Sequence, residues 1–205
     1  MDLILLVIEI SGTLAFAVSG IIEARRKKMD FIGVYTASML TAFGGGTLRD
    51  VFLNRYPLFW IKNYNYPVLI LVISLISMAF LRKNLEANVK RINFSLDVFD
   101  SLGLGLFATL GTSIALQNGC TVFLASIIGV VTASFGGVLR DIICNEIPNI
   151  FKRNELYASC AFLGSISYAL FYHTGVSDLL AIPLSISLTF ISRLFAIKFN
   201  LRLPI

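Results

Sequence analysis

Residues 41–57 read TAFGGGTLRDVFLNRYP and residues 132–148 read TASFGGVLRDIICNEIP, an ungapped match at an offset of 132 − 41 = 91 in which nine of seventeen positions are identical. The same offset pairs Glu9 with Asp100, Gly12 with Gly103, Phe16 with Phe107, Gly20 with Gly111 and Tyr66 with Tyr157. Shared apolar composition repeats glycines and leucines by chance. It does not repeat GG-x-L-R-D-x-x-x-N-x-x-P in register, so the chain reads as an internal duplication.

What is duplicated follows from hydropathy. Hydrophobic residues make up 57% of the 205, charged residues 14%, and mean hydropathy is +0.82, a composition that excludes an ordinary soluble domain. At about 20 residues per membrane span the length allows at most about seven to nine spans, with no room for a soluble catalytic or nucleic-acid-binding domain. Apolar runs predict spans at 3–24, 31–53, 67–81, 96–117, 121–143, 156–172 and 179–199. The third is short for a bilayer. The expected fold is an all-α integral membrane protein of seven transmembrane helices in a single membrane domain, 1–205. Its parts are a three-helix repeat at 3–81, a second at 96–172 and a seventh helix at 179–199. Three spans per repeat is an odd number, so the second copy must be inverted. Inverted repeats are typical of proteins that move solutes along a pathway at the repeat interface.

The first apolar run is expected to remain as a span, because it carries Glu9, lacks a basic leading segment and has no small-residue cleavage site before Arg25. Basic residues then set the orientation. One side holds Arg25, Arg26, Lys27, Lys28, Arg82, Lys83, Lys90, Arg91, Lys152, Arg153, Lys198 and Arg202; the other holds only Arg55 and Lys62. The N-terminus is therefore expected outside and the C-terminus in the cytoplasm. The net charge of +5 is explained without a nucleic-acid partner. Cys120, Cys144 and Cys160 lack metal-site spacing and read as small apolar fillers.

Ionisable residues inside apolar runs are the candidates for chemistry. The glycines Gly44, Gly45 and Gly46 interrupt the second span and Gly136 and Gly137 the fifth. Glycine pairs at corresponding positions of an inverted repeat predict kinks that line a pathway; the alternative is a close-packing face. Arg49 and Asp50, like Arg140 and Asp141, follow each pair. An arginine at membrane depth costs about 2.5 kcal/mol or more, so it faces the bundle interior, water or lipid phosphate. Either these charges shape the pathway or its gate, or they form structural pairs. Neighbours on one helix project differently, so each Asp is expected to find its partner on another helix. Glu9, Asp97, Asp100 and Arg193 are further intramembrane charges. Glu9 and Asp100 form a symmetric pair of acids, Asp97 and Asp100 alternatively mark a helix start, and Arg193 is a partner for one of the acids. His173, the sole histidine, falls in a polar turn. The inventory holds no G-x-S-x-G, no HExxH and no clustered His and Cys ligands, so neither an enzyme, a cofactor nor a resident metal is expected.

Two three-span units, each with GG-x-L-R-D in its middle helix, followed by a seventh helix, resemble the prokaryotic branch of the trimeric intracellular cation (TRIC) channel family. The resemblance covers roughly residues 3–199. It implies a homotrimer in the plasma (inner) membrane of a prokaryote, with a pore in each subunit between kinked second and fifth helices conducting monovalent cations, mainly potassium, among membrane lipids. It also implies that Gly45, Gly46, Gly136 and Gly137 are the kinks, with Arg49, Asp50, Arg140 and Asp141 beside the pore. Animal members carry Lys-Glu-Val where this chain reads Arg140-Asp141-Ile142, and a planar guanidinium replaces a point charge there. The alternative function for this architecture is a small-solute carrier, for glycine or another small amino acid, working by alternating access.

Overall fold

Long apolar stretches bounded by polar turns leave the backbone no partner but itself, and each such stretch here is a helix. The computed structural model describes residues 3–80, 89–152 and 156–201, and the elements among them are all helical. They are α1 (Leu3–Arg26), α2 (Phe31–Phe52), the single turn α3 (Phe59–Lys62), α4 (Asn65–Phe80), α5 (Val89–Gln117), α6 (Val122–Ile143), a 3-10 turn (Asn149–Phe151), α7 (Tyr157–His173) and α8 (Asp178–Phe199). Helices α1, α2, α6 and α8, with the Ile92–Gln117 part of α5, are long and apolar enough to cross a membrane. Arg82, Lys83, Arg153 and Arg202, counted above towards the orientation, lie outside the described residues, as does the end of the expected third span.

The expected fourth span, 96–117, is preceded by further helix, since α5 begins at Val89. Asp97 and Asp100 are thus well inside a helix, and the reading of them as a helix start is corrected: the polar residues before them continue the helix outside its apolar part. The described part of helix α4 is 16 residues long, about 24 Å at 1.5 Å per residue, against a hydrocarbon layer about 30 Å thick.

The repeat motif explains how α2 and α6 start and stop. They span 31–52 and 122–143, the same 22 residues shifted by 91. Asp30 caps α2 by accepting the Gly33 N–H at 2.8 Å, and Thr121 occupies the matching place before α6. At the other end Asn54 and Asn145 adopt left-handed φ values of 50° and 55°. The following residues donate back, Arg55 N–H to the Asp50 carbonyl at 2.7 Å and Glu146 N–H to the Asp141 carbonyl at 2.8 Å. This is a Schellman ending, and it accounts for the asparagine of the motif, a residue that tolerates the left-handed region, and for the proline soon after it.

Helix α2 crosses α6, while α1 packs on α2 and α5, and α5 on α6, α7 and α8. The contacts at the crossings are reciprocal. A Cβ on Gly45 would overlap the Thr132 carbonyl, and one on Gly136 would overlap the Thr41 carbonyl. A Cβ on Gly12 would meet the Phe107 ring, and one on Gly103 the Phe16 ring. Helices α2 and α6 each run through these glycines as a single helix, and the missing side chains let the two backbones touch, which brings α2 and α6 together.

Candidate functional site

Two cavities lie at opposite ends of α1 and α5. The one at the face where α1 begins, the near face, has a volume of about 640 Å³ and is lined by Glu9, Asp50, Asn54, Arg55, Phe59 and Lys62, among others. The one at the far face, where α1 ends, has a volume of about 170 Å³ and is lined by Glu23, Arg26, Asp97, Arg140, Asp141 and Glu146, among others. Glu9 and Glu23 are fourteen residues apart on α1, about 20 Å along its axis. Between them Phe16 stacks on Phe107 with centroids 5.3 Å apart. A third cavity, of about 480 Å³, lies against α2 and α6 and is almost wholly apolar, with Met39, Phe43, Trp60 and Leu139 on its walls.

The near cavity reaches Asp50 and the far one Arg140 and Asp141, and in both halves the same device pairs that Asp with the arginine before it. Arg49 is fully buried, and its Nε and Nη2 lie 2.9 and 2.8 Å from Asp50 Oδ1. Arg140 is equally buried, with both distances to Asp141 Oδ1 at 2.8 Å. The expectation that each Asp would pair across helices is therefore corrected. Arginine's long stem lets the guanidinium curl back around its own helix, so adjacency does not keep the two charged ends apart. The second carboxylate oxygen holds the returning chain: Asp50 Oδ2 accepts the Phe59 N–H at 2.9 Å, and Asp141 Oδ2 accepts the Asn149 N–H at 3.1 Å. A buried charge is tolerable when it is paired and hydrogen-bonded; both arginines are paired, and each donates to its Asp through Nε.

Beyond this shared device the two halves differ. In the second repeat Arg140 also reaches the Asp100 carboxylate on α5 and the Ser19 hydroxyl on α1, tying three helices together. Tyr157 is fully buried beside them, and the Arg193 guanidinium of α8 lies 5.0 Å from its ring centroid. In the first repeat Glu9, the counterpart of Asp100, accepts instead from the Tyr66 hydroxyl at 2.8 Å. Arg49 Nη1 finds no hydrogen-bond acceptor among the described residues. Its guanidinium lies 5.3 Å from the Phe59 ring centroid, and that ring packs against Gly46 and 6.0 Å from Tyr66.

The far face carries a second layer of charge. Arg26 Nη2 lies 2.7 Å from Glu23 Oε1 and 3.6 Å from Glu146 Oε1, and Lys27 Nζ donates to the same Glu146 oxygen. The Lys27 hydrogen bond is the main reason the Glu146 carboxyl titrates below the usual glutamate range. Sequence reasoning passed over Ser19, Glu23, Phe59 and Glu146. At the repeat offset Glu23 and Phe59 correspond to Ile114 and Ile150, so comparing the two copies gave no signal for them; the contrast itself was the clue. Of the predicted residues, the structure gathers Arg140, Asp141 and Asp100 at one cluster with Arg193 against its tyrosine, places Arg49, Asp50 and Glu9 at the other, and sets Asp97 on the far cavity wall.

Comparison with known proteins gives a consistent picture. The sequence model of a family described as "Glycine transporter" matches twice, at residues 6–82 and 97–173. A UPF0126 membrane protein of Vibrio cholerae is 37% identical over 202 residues, covering 98% of this chain and 82% of its own. The UPF0126 inner membrane protein YadS of Escherichia coli K12 is 35% identical over 199 residues, covering 96% and 93%. Among solved structures, the TRIC trimeric intracellular cation channel orthologue from Rhodobacter sphaeroides superposes with a TM-score of 0.89 at 32% identity, covering 98% of this chain and all of that one. A second, from work on conductance through TRIC cation channels, gives 0.83 at 36% identity, covering 97% and 95%. An all-helical chain matched along its length by bacterial membrane proteins and by these structures belongs to the family described as glycine transporter, and is a prokaryotic member of the TRIC family.

Proposed function

We propose that this protein is a monovalent cation channel, selective for potassium, with one pore inside each subunit of a homotrimer. The observation that carries the reading is the pair of charged cavities at opposite faces, each reaching the aspartate of a buried arginine–aspartate pair and separated by the α2–α6 crossing and the Phe16–Phe107 stack. A path joining them runs past Glu9, Asp50, Asp141 and Asp97, whose carboxylates favour cations over anions. Fixed arginines beside a cation path raise the local barrier, so Arg49 and Arg140 suit a gate better than a selectivity site. Gly45 and Gly136, where the helix backbones touch, are the points about which α2 and α6 bend to widen that path. The likeness to proteins named as trimeric cation channels supports both the ion and the trimer.

In this reading the chain is two inverted three-helix repeats, 3–81 and 96–172, with α8 appended. The reciprocal contacts of Gly45 with Thr132 and of Gly136 with Thr41 support it. The near face is outside and the far face cytoplasmic, as the basic residues Arg25, Arg26, Lys27 and Lys28 at the end of α1 imply. The protein sits in the inner membrane of a bacterium, and its relatives named as inner membrane proteins support this.

The test is single-channel recording of the purified protein in a planar bilayer, with potassium and chloride gradients used to read the reversal potential. Discrete picoampere steps reversing near the potassium potential are expected. A second reading, a carrier of a small amino acid such as glycine, is favoured by the tight packing between the two cavities, which suits alternating access, and by the family's description. Saturable glycine uptake into proteoliposomes without unitary currents decides for it.

A further inference from the structure

The two repeats share their sequence motif but not their state. In the second repeat a carboxylate–arginine bridge joins α5 to α6: Arg140 reaches Asp100, with Ser19 of α1 as a third member. The cavity beside this bridge is the small one, about 170 Å³, and on its wall Arg26 meets Glu146, which Lys27 also holds. In the first repeat the matching residues, Glu9 on α1 and Arg49 on α2, make no such bridge. Glu9 is held by Tyr66, the buried Arg49 Nη1 and Nη2 find no hydrogen-bond acceptor among the described residues although Nη2 lies 2.8 Å from Asp50 Oδ1, and the neighbouring cavity is about 640 Å³.

Phe59 lies where the two halves differ. Its ring fills the space against Gly46, with Arg49 on one side and the tyrosine that holds Glu9 on another. In the second half the corresponding space against Gly137 is taken by Tyr157, Arg140 and Asp100 themselves, at 3.1, 3.6 and 3.7 Å from a Cβ built there. The residue matching Phe59 is Ile150, which lies in the 3-10 turn.

When two halves of one chain are built alike and hold different conformations, each half displays a state open to the other. We propose that the halves are locked in alternation: a Glu9–Arg49 bridge closes the near cavity when the Asp100–Arg140 bridge releases the far one, and the Phe59 ring is the wedge that keeps the near bridge apart in the state described here. In the exchanged state Arg49 Nη1 gains its acceptor, the Phe59 ring withdraws from Gly46, and Arg140 retains only Asp141. The remaining charges near the first pair are Asp50, which stays bound to Arg49, Arg55 at 3.5 Å from Asp50, and Lys62 on the cavity wall. None of them competes with Glu9 as an acceptor for Nη1 except Asp50, whose oxygens already hold Nε and the Phe59 N–H.

This proposal rests on the second reading above, a carrier whose two cavities open in turn, and it is tested without measuring transport. In a background with all three native cysteines replaced, single cysteines are placed in the near cavity (Ile114→Cys) and in the far cavity (Leu96→Cys). Their rates of modification by a charged methanethiosulfonate are read by mass spectrometry in lipid nanodiscs. The near cysteine should react faster in the parent. Asp100→Asn should speed the far cysteine about tenfold and slow the near one by a comparable factor. Adding Glu9→Gln should abolish that slowing, and Phe59→Ile alone should slow the near cysteine. Ser19→Ala, which removes only one of the acceptors of Arg140, should act in the same direction as Asp100→Asn and serves if the latter fails to assemble.

Faster far labelling with no change at the near cysteine overturns the exchange and leaves two independent gates. Slowing that survives Glu9→Gln overturns the bridge as the latch. A protein that shows the exchange but no unitary currents keeps this proposal and loses the channel reading; one with currents but no exchange does the reverse.

Discussion

Phe16 of α1 and Phe107 of α5 occupy the same place in the two sequence repeats, and they stack on one another. Equivalent residues that touch each other lie at the element relating the halves, which puts the middle of the proposed pathway at this stack. Each ring also lies over the other repeat's glycine, Phe107 over Gly12 and Phe16 over Gly103. Single replacement by alanine should therefore cost about 3–5 kcal/mol of stability in detergent, the usual range for a buried phenylalanine. Thermal unfolding of Phe16→Ala and Phe107→Ala should give similar losses. A loss confined to one of them rules out equivalence.

The glycines of each pair are not interchangeable. Gly45 and Gly136 face backbone carbonyls, which cannot turn aside, whereas Gly46 and Gly137 face the side chains of Phe59 and of Tyr157. Gly45→Ala and Gly136→Ala should each destabilise by about 1–3 kcal/mol by forcing α2 from α6, with Gly137→Ala clearly milder. Melting temperatures in mild detergent check the order. Gly136→Leu should in addition suppress any current.

Arginine replacements should be unequal. Arg140→Gln strands both Asp100 and Asp141, while after Arg49→Gln Asp50 still has Arg55 at 3.5 Å. Removing one partner of a buried ion pair costs about 3–5 kcal/mol, so Arg140→Gln should reach that range and Arg49→Gln fall below it. Equal losses in chemical or thermal unfolding contradict the asymmetry between the halves.

The apolar helices, their order and the positions of the buried charges were legible in the sequence because hydropathy and the 91-residue offset depend on residue type alone. The pairing of Arg49 with Asp50 was not, because it turns on how far a flexible stem can curl. Nor was the wedge. Phe59 belongs to a one-turn helix between two polar turns, too short for any period to be seen, and its importance lies in being unlike Ile150. The Glu23–Arg26–Glu146 layer escaped for a third reason: it joins the end of α1 to the loop after α6, and that proximity is created by the fold.

That layer makes a pH prediction. Glu146 titrates below the ordinary carboxyl value, about 4.3, mainly through its hydrogen bond with Lys27. A depressed folded pKa means that the contribution to stability is present above the unfolded value and is lost as pH falls through the folded one. Wild type should therefore exceed Glu146→Gln in melting temperature at pH 6–7, with the gap closing below about pH 4. High salt should shrink it as well, since the carboxylate is partly exposed. A gap independent of pH between 3 and 7 removes the ion pair from the account.

Topology gives the simplest check. A reporter fused after Ile205 should be active in the cytoplasm, and one inserted near Asn118 active outside. An external C-terminus reverses the assignment of the two cavities.

The reciprocal contact of Gly45 with Thr132 and of Gly136 with Thr41 has the form of an isologous interface, the kind two identical subunits make across a two-fold axis, here enclosed in one polypeptide. Covalent joining removes the requirement that both sides be the same residue, since each half now meets only one partner at fixed effective concentration. Among the positions still shared between the halves are those where backbones cross and where α2 and α6 end. Glu9 against Asp100 and Phe59 against Ile150 have diverged, and at those places the two ends of the duplicated chain make different contacts.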